Sequence, residues 1–147
     1  MIYDTDILIW IQRGNEKAAR LIDKDPDKYL SIYSYMELLQ GARNKTHHNY
    51  VKDFIYSFEL SILPLTENTG HRALIYVEEY ALSSNMRAGD ALIAATAVEN
   101  NLTLVSSNGK AQVIIADNTL IPEHFLQIVD FRKVFIKMVL EWDRRVY

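Results

Sequence analysis

The chain contains no cysteine, and that one absence removes several chemistries together. Disulfide stapling, zinc sites built on thiolates and cysteine nucleophiles are excluded, and a reducing cytoplasm is the compartment that such a composition suits. Proline and glycine are scarce, three and five in 147 residues, so no flexible or proline-rich linker stands out. No stretch approaches the roughly 20 apolar residues that a membrane-spanning helix needs. The opening Met1-Ile2-Tyr3-Asp4 also lacks the basic and apolar regions of a signal peptide. Neither a membrane protein nor a secreted one is expected. An excess of positive charge is missing too, with a formal net charge of -3. A protein that grips nucleic acid through a broad basic face would differ. Carboxylates offset by bound divalent cations would however leave a nucleic-acid enzyme compatible with this sum.

What is present is an ordinary globular balance, 49% apolar and 24% charged, which argues against disorder and suits a single domain over residues 1–147 with a real core. Ile2-Tyr3 reads as a short buried strand, with Asp4 and Asp6 falling where it ends. Asn15–Asp23 predicts a helix burying Ala18, Ala19, Leu21 and Ile22, and Lys24-Asp25-Pro26-Asp27 a turn. Tyr29–Tyr33 predicts a second strand. Ser34 then serves as a helix cap, with Glu37 three residues on at capping-box spacing, and the helix runs to Arg43 with Met36, Leu39 and Tyr35 as packing residues. A polar stretch, Asn44–His48, leads to a helix over Tyr50–Phe58. Leu60–Leu65 reads as a strand whose Pro64 suits an edge or a strand end. Thr66–Leu82 predicts an amphipathic helix through Ala73, Leu74, Val77 and Ala81. Gly89-Asp90 opens an apolar helix over Ala91–Glu99, and Leu102–Val105 is a final compact strand. Strands alternating with helices predict a three-layer α/β fold with a mostly parallel sheet flanked by helices. Ligands in such folds sit beyond the carboxyl ends of the strands, where Asp4, Ser106 and Asn108 would lie.

Three acids at element edges carry the chemical signal. Asp4 follows a strand between apolar neighbours; it is either a turn or cap residue or a shielded acid that requires a partner. Glu37 is either the second half of a capping box or a carboxylate directed toward the strand ends. Asp90 is either an N-cap or a carboxylate held ionised at a helix N-terminus and able to ligate a cation. Gly89 before it would allow close backbone approach. Together the acids suit a hard divalent ion such as Mg2+ or Mn2+, which takes oxygen ligands. Such an ion relieves the repulsion between clustered carboxylates and serves phosphodiester hydrolysis.

Four segments resemble the PIN-domain nucleases, and among them the VapC toxins of toxin–antitoxin pairs. They are Asp4-Thr5-Asp6-Ile7-Leu8, Met36-Glu37-Leu38-Leu39-Gln40-Gly41, Arg87-Ala88-Gly89-Asp90-Ala91-Leu92-Ile93-Ala94-Ala95-Thr96-Ala97 and Leu102-Thr103-Leu104-Val105-Ser106-Ser107-Asn108. The resemblance spans about residues 1–108, and Gly89-Asp90-Ala91 is its most specific piece. It implies that Asp4, Glu37 and Asp90 bind Mg2+ or Mn2+, that Asp6 assists indirectly, and that Ser106 hydrogen-bonds Asp4 or a metal-bound water. It further implies endonucleolytic cleavage of RNA, with structured RNA such as transfer RNA as a common target. A VapB-like antitoxin would inhibit the enzyme, and a homodimer would be the usual assembly.

The chain also departs from that pattern. Asn108 stands where many relatives have a fourth acid, and a His-Phe pair common soon after Gly109-Lys110 is delayed to His124-Phe125. Residues 109–123 then form an insertion or remodelled segment, whose Asp117 is a candidate fourth carboxylate or a solvated turn acid. Phe131, Val134, Phe135, Met138, Val139 and Trp142 form an amphipathic C-terminal stripe over about 131–147, suited to packing on its own domain or to a dimer or antitoxin contact. Arg43–His48 and Arg87 are candidates for RNA phosphates; no catalytic histidine is expected. Two other functions compete. One is a catalytically silent binding or regulatory protein, motivated by Asn108. The other is a phosphohydrolase using Asp4 as nucleophile, which lacks an evident lysine and late acidic pair.

Overall fold

A computed structural model describes residues 1–106. The chain runs β1 (Ile2–Tyr3), α1 (Thr5–Gln12), α2 (Glu16–Asp23), β2 (Tyr29–Ser31), α3 (Ile32–Gln40), α4 (Lys45–Ser57), β3 (Ser61–Leu63), α5 (Glu67–Ser84), α6 (Ala88–Glu99) and β4 (Leu104–Val105). The strands form a parallel sheet in the order β3-β2-β1-β4. Parallel neighbours need crossover connections, and each crossover here is a pair of helices. The result is a mixed α/β fold with a central parallel sheet flanked by helices, as the alternation of strands and helices predicts.

The strands are short and buried. Ile2 pairs with Tyr29 on one side and Leu104 on the other, and Ile2, Tyr3 and Leu30 are fully inaccessible. β3 lies at an edge of the sheet among the described strands, which agrees with the Pro64 that follows it. α6 is buried on nearly every side through Ala91, Ile93, Ala94, Ala95, Thr96 and Ala97. Its small side chains let other elements come close, and α5 packs along it. The Arg72 guanidinium and the Glu99 carboxylate join these two helices in a short ion pair.

Several local expectations change. The run Ile7–Ile11, given no element by the sequence, lies in α1, which Asp4 caps; the helix ends at Arg13, with Gly14 at φ 86° accommodating the turn. β2 stops at Ser31, not Tyr33. Ser31, not Ser34, is the cap, its Oγ accepting from the Tyr33 amide at 3.2 Å. Pairing with β3 ends at Ser31–Leu63, so the chain turns there and Ser34 is buried inside the helix. Ser34 and Glu37 therefore form no capping box. Met36 is 48% exposed and does not pack inward; Leu38 does. Leu74 is likewise 56% exposed, and Thr69, Ala73 and Tyr76 carry the buried face of α5. The polar stretch beginning at Asn44 starts α4, because Asn44 caps it through a 2.8 Å bond from the His47 amide.

Candidate active site

The sheet order fixes where a site can form. From β1 the chain winds outward through β2 to β3, then returns to the opposite side of β1 as β4. The winding direction thus reverses between β1 and β4, and in open parallel sheets a crevice forms beyond the strand ends at such a reversal. Asp4 is the residue after β1 and Ser106 the residue after β4. The Asp4 amide still donates to the Val105 carbonyl at 3.0 Å, so the ladder itself holds the two side chains at the same edge.

Asp4 is 8% exposed. Its Oδ1 accepts from the Thr5 amide at 2.7 Å and its Oδ2 from the Ser106 hydroxyl at 2.6 Å. Burial, followed by the nearby carboxylate of Asp6, pushes the Asp4 pKa up to about 7; Asp90 adds to the rise, while the Ser106 and Thr5 hydrogen bonds oppose it. The cap reading and the shielded-acid reading of Asp4 are thus both correct. One side chain starts α1 and lies buried near a second carboxylate, that of Asp6.

Glu37 sits in the second turn of α3, where it accepts the Thr5 hydroxyl at 2.5 Å on Oε2. Asp90 is the third residue of α6 and not its cap. Arg87 occupies the cap position, and its amide donates to Asp90 Oδ2 at 3.1 Å. Burial, followed by the nearby charges of Glu37 and Asp90, raises the Tyr33 pKa. Thr5 thus links two of the acids, its amide donating to Asp4 and its hydroxyl to Glu37, while the ring of Tyr33 lies against Gly89 at the start of α6.

Asp4, Glu37, Asp90 and Ser106 therefore lie in one neighbourhood. Asn108 lies outside the described residues, as do Asp117, His124-Phe125, the segment 109–123 and the stripe beyond 131. Two participants go beyond the residues that sequence singles out. Thr5 directly follows Asp4, and Tyr33 precedes Glu37 by four residues, a spacing that puts both on one helix face. His47 and His71 are engaged at the surface, with the Arg43 amide and with Glu67 respectively.

The donor set is entirely oxygen and accumulates negative charge, which fits a hard dication in chemistry. The carboxylates are nevertheless engaged with hydroxyl and amide donors. Among the described residues, no three histidine, cysteine, aspartate or glutamate side chains stand close enough together to hold a metal ion.

Comparison with known proteins agrees with this architecture. The PIN domain family model matches residues 1–117. Among solved structures, a toxin-antitoxin complex from Klebsiella pneumoniae is similar at 27% identity and TM-score 0.62, covering 75% of this chain and 88% of that one. VapBC-1 from nontypeable Haemophilus influenzae is similar at 24% identity and TM-score 0.62, covering 80% and 94%. VapBC2 from Rickettsia felis, bound to a DNA fragment from its promoter, is similar at 22% and TM-score 0.62, covering 78% and 93%. No curated protein matches the chain in sequence. With the family model covering most of its length, the chain belongs to the PIN-domain family.

Proposed function

We propose that this protein is a metal-dependent endoribonuclease of the toxin type, cutting phosphodiester bonds in RNA through Asp4, Glu37 and Asp90 and restrained by a cognate VapB-like antitoxin. The observation that carries the reading is the buried Asp4 carboxyl at the reversal point of the sheet, raised to about 7 by burial and by neighbouring carboxylates. A site of that kind favours a bound cation over a bare cluster of acids. Membership of the PIN family and likeness to a solved toxin–antitoxin complex support nuclease and toxin roles.

Asp4, Glu37 and Asp90 would hold Mg2+ or Mn2+, which when bound supplies Lewis acidity at the scissile phosphate. The protein's own groups prepare that position. Ser106 and the Thr5 amide fix one oxygen each of Asp4, and the Thr5 hydroxyl fixes Glu37. Exposed Arg87, at the mouth of α6 beside Asp90, supplies a cationic group for a substrate phosphate. Structured RNA, transfer RNA among it, is the substrate class of this reading, with a homodimer as the assembly and the cytoplasm as the compartment. Among the described residues no helix is long and apolar enough to cross a membrane.

The test compares wild type with Asp90→Asn on total RNA in Mg2+, Mn2+ and EDTA. Discrete cuts lost in EDTA and in the variant support the nuclease. A second reading, a catalytically silent PIN-like binding or regulatory protein, is favoured by the unconverged carboxylates and by Asn108. Intact RNA under every condition, with folded protein, would establish it in place of the first.

A further inference from the structure

The helix α5 turns apolar side chains in two directions. Ala73 and Tyr76 lie in the core, yet Leu74 and Ile75 stand half exposed and Leu82 fully so. Isolated apolar residues at a surface need no explanation. These three are not isolated. Positions 71, 74, 75, 78 and 82 follow the three-and-four spacing of one helix face, so His71, Leu74, Ile75, Glu78 and Leu82 share a stripe opposite the buried one. A contiguous apolar stripe left open at a surface marks a contact.

Building on the homodimer reading above, we propose that this stripe is the dimer face, with α5 packing antiparallel on α5 of a second copy. The two-fold axis passes between Leu74 and Ile75. A two-fold contact requires a surface that complements itself, and the order along the stripe does so. His71 precedes Leu74 by three residues, and Glu78 follows Ile75 by three. Antiparallel packing therefore sets Leu74 against Ile75 of the second copy at the centre. On either side it sets the imidazole of one His71, a hydrogen-bond donor, against the carboxylate of the other Glu78. Parallel packing would put Glu78 against Glu78 and lose that match. A partner of unrelated sequence would have no reason to repeat it. Leu82 continues the stripe toward the far end of the second helix, near Glu67 and Gly70. A Cβ on Gly70 would meet open space, so no side chain there holds the second copy away. With 18 residues, α5 is about 27 Å long, enough for contact over several turns.

The chain has no cysteine, so one introduced thiol reports one position. The experiment is sedimentation equilibrium on the intact protein, purified alone, for wild type and α5 variants, with circular dichroism to confirm folding. Oxidative cross-linking of Ile75→Cys and Leu82→Cys accompanies it. Leu74→Lys/Ile75→Lys places four ammonium groups at the axis and should raise the dimer dissociation constant by about a hundredfold or more. His71→Glu and Glu78→Lys should each weaken the dimer, and the two combined in one chain should restore it. Ile75→Cys should link two copies. Leu82→Cys should not, because its two thiols would lie about 22 Å apart along antiparallel helices, too far for a disulfide. A dimer that Leu74→Lys/Ile75→Lys leaves intact overturns the proposed face while the homodimer stands. Equal cross-linking at both cysteines overturns the antiparallel arrangement. A wild type that stays monomeric at every concentration overturns the homodimer and its face together.

Discussion

The Ser106 hydroxyl donates a 2.6 Å hydrogen bond to Oδ2 of Asp4 across 102 residues of sequence, tying the end of β4 to the end of β1. A donor to the ionised carboxylate favours that form, so this bond works against the burial and the neighbouring acids that raise the Asp4 pKa. Ser106→Ala removes the donor, and the pKa of Asp4 should rise further. At neutral pH less of the ionised form is available to take up the cation, and RNA cleavage at subsaturating Mg2+ should fall about tenfold, as loss of a hydrogen bond of about 1.5 kcal/mol or more to a charged group implies. The loss should shrink as the medium becomes more alkaline than the Asp4 pKa. A pH–rate profile checks this, and a deficit independent of pH would refute it.

Stability should show the same group with its own sign. The folded-state pKa of Asp4 is pushed from the ordinary carboxylate value of 3.8 up to about 7, so between those values the folded state binds more protons than the unfolded one. Stability in EDTA should therefore fall as pH rises through that window and level off above it. For one proton the slope is at most about 1.4 kcal/mol per pH unit. Asp4→Asn keeps an acceptor for the Thr5 amide and carries no charge; its profile should be flatter. It should also be more stable than wild type above the window, while cleaving no RNA. Urea unfolding across the window and beyond it measures this. Parallel curves for the two proteins would show that Asp4 is not the group responsible.

Expectations from sequence succeed where a pattern is local and fail where a neighbour decides. The parallel α/β fold follows from alternating apolar segments, and the neighbourhood of Asp4 and Ser106 follows from strand ends in such a fold. The start of α3 is not legible in the same way. Ser31 and Ser34 are both good caps by residue type, and the choice depends on where β2 stops pairing with β3. That contact joins residues roughly 30 positions apart in sequence. Thr5 and Tyr33 escape a sequence reading for a related reason. A hydroxyl beside an acid is common in any sequence, and these two matter because α1, α3 and α6 converge. Gly89 suggests room for a close approach, and only the structure shows that the approaching group is the ring of Tyr33.

A stability effect away from the site provides a control. The buried hydroxyl of Tyr3 donates to Asp25 Oδ2 at 2.8 Å, and the Asp27 amide donates to Oδ1 at 3.2 Å, so Asp25 closes the turn before β2 while satisfying a core phenol. Asp25→Ala strands that hydroxyl, at a cost of about 1–3 kcal/mol, and also removes the partner of the Met1 ammonium, which donates to the same Oδ2 at 2.8 Å. The melting temperature should drop by several degrees. RNA cleavage well below the melting transition should stay at the wild-type rate, since neither residue is among the acids proposed to hold the metal. A comparable loss of cleavage in this folded variant would mean that activity follows general stability and not the named carboxylates.

Thr5 isolates the hydroxyl that holds Glu37. Its Oγ1 donates to Glu37 Oε2 at 2.5 Å, while its amide independently serves Asp4. Thr5→Val has nearly the same shape and keeps the amide, so α1 should still start at Asp4 and the fold should persist. What disappears is one charge-assisted donor to the Glu37 carboxylate. RNA cleavage in Mg2+ should fall about tenfold, and Thr5→Ser, which restores a hydroxyl at the same atom, should recover most of it. Rates for the wild type, Thr5→Val and Thr5→Ser decide the matter. Full activity in Thr5→Val would mean that α1 contributes Asp4 to the site and nothing to Glu37.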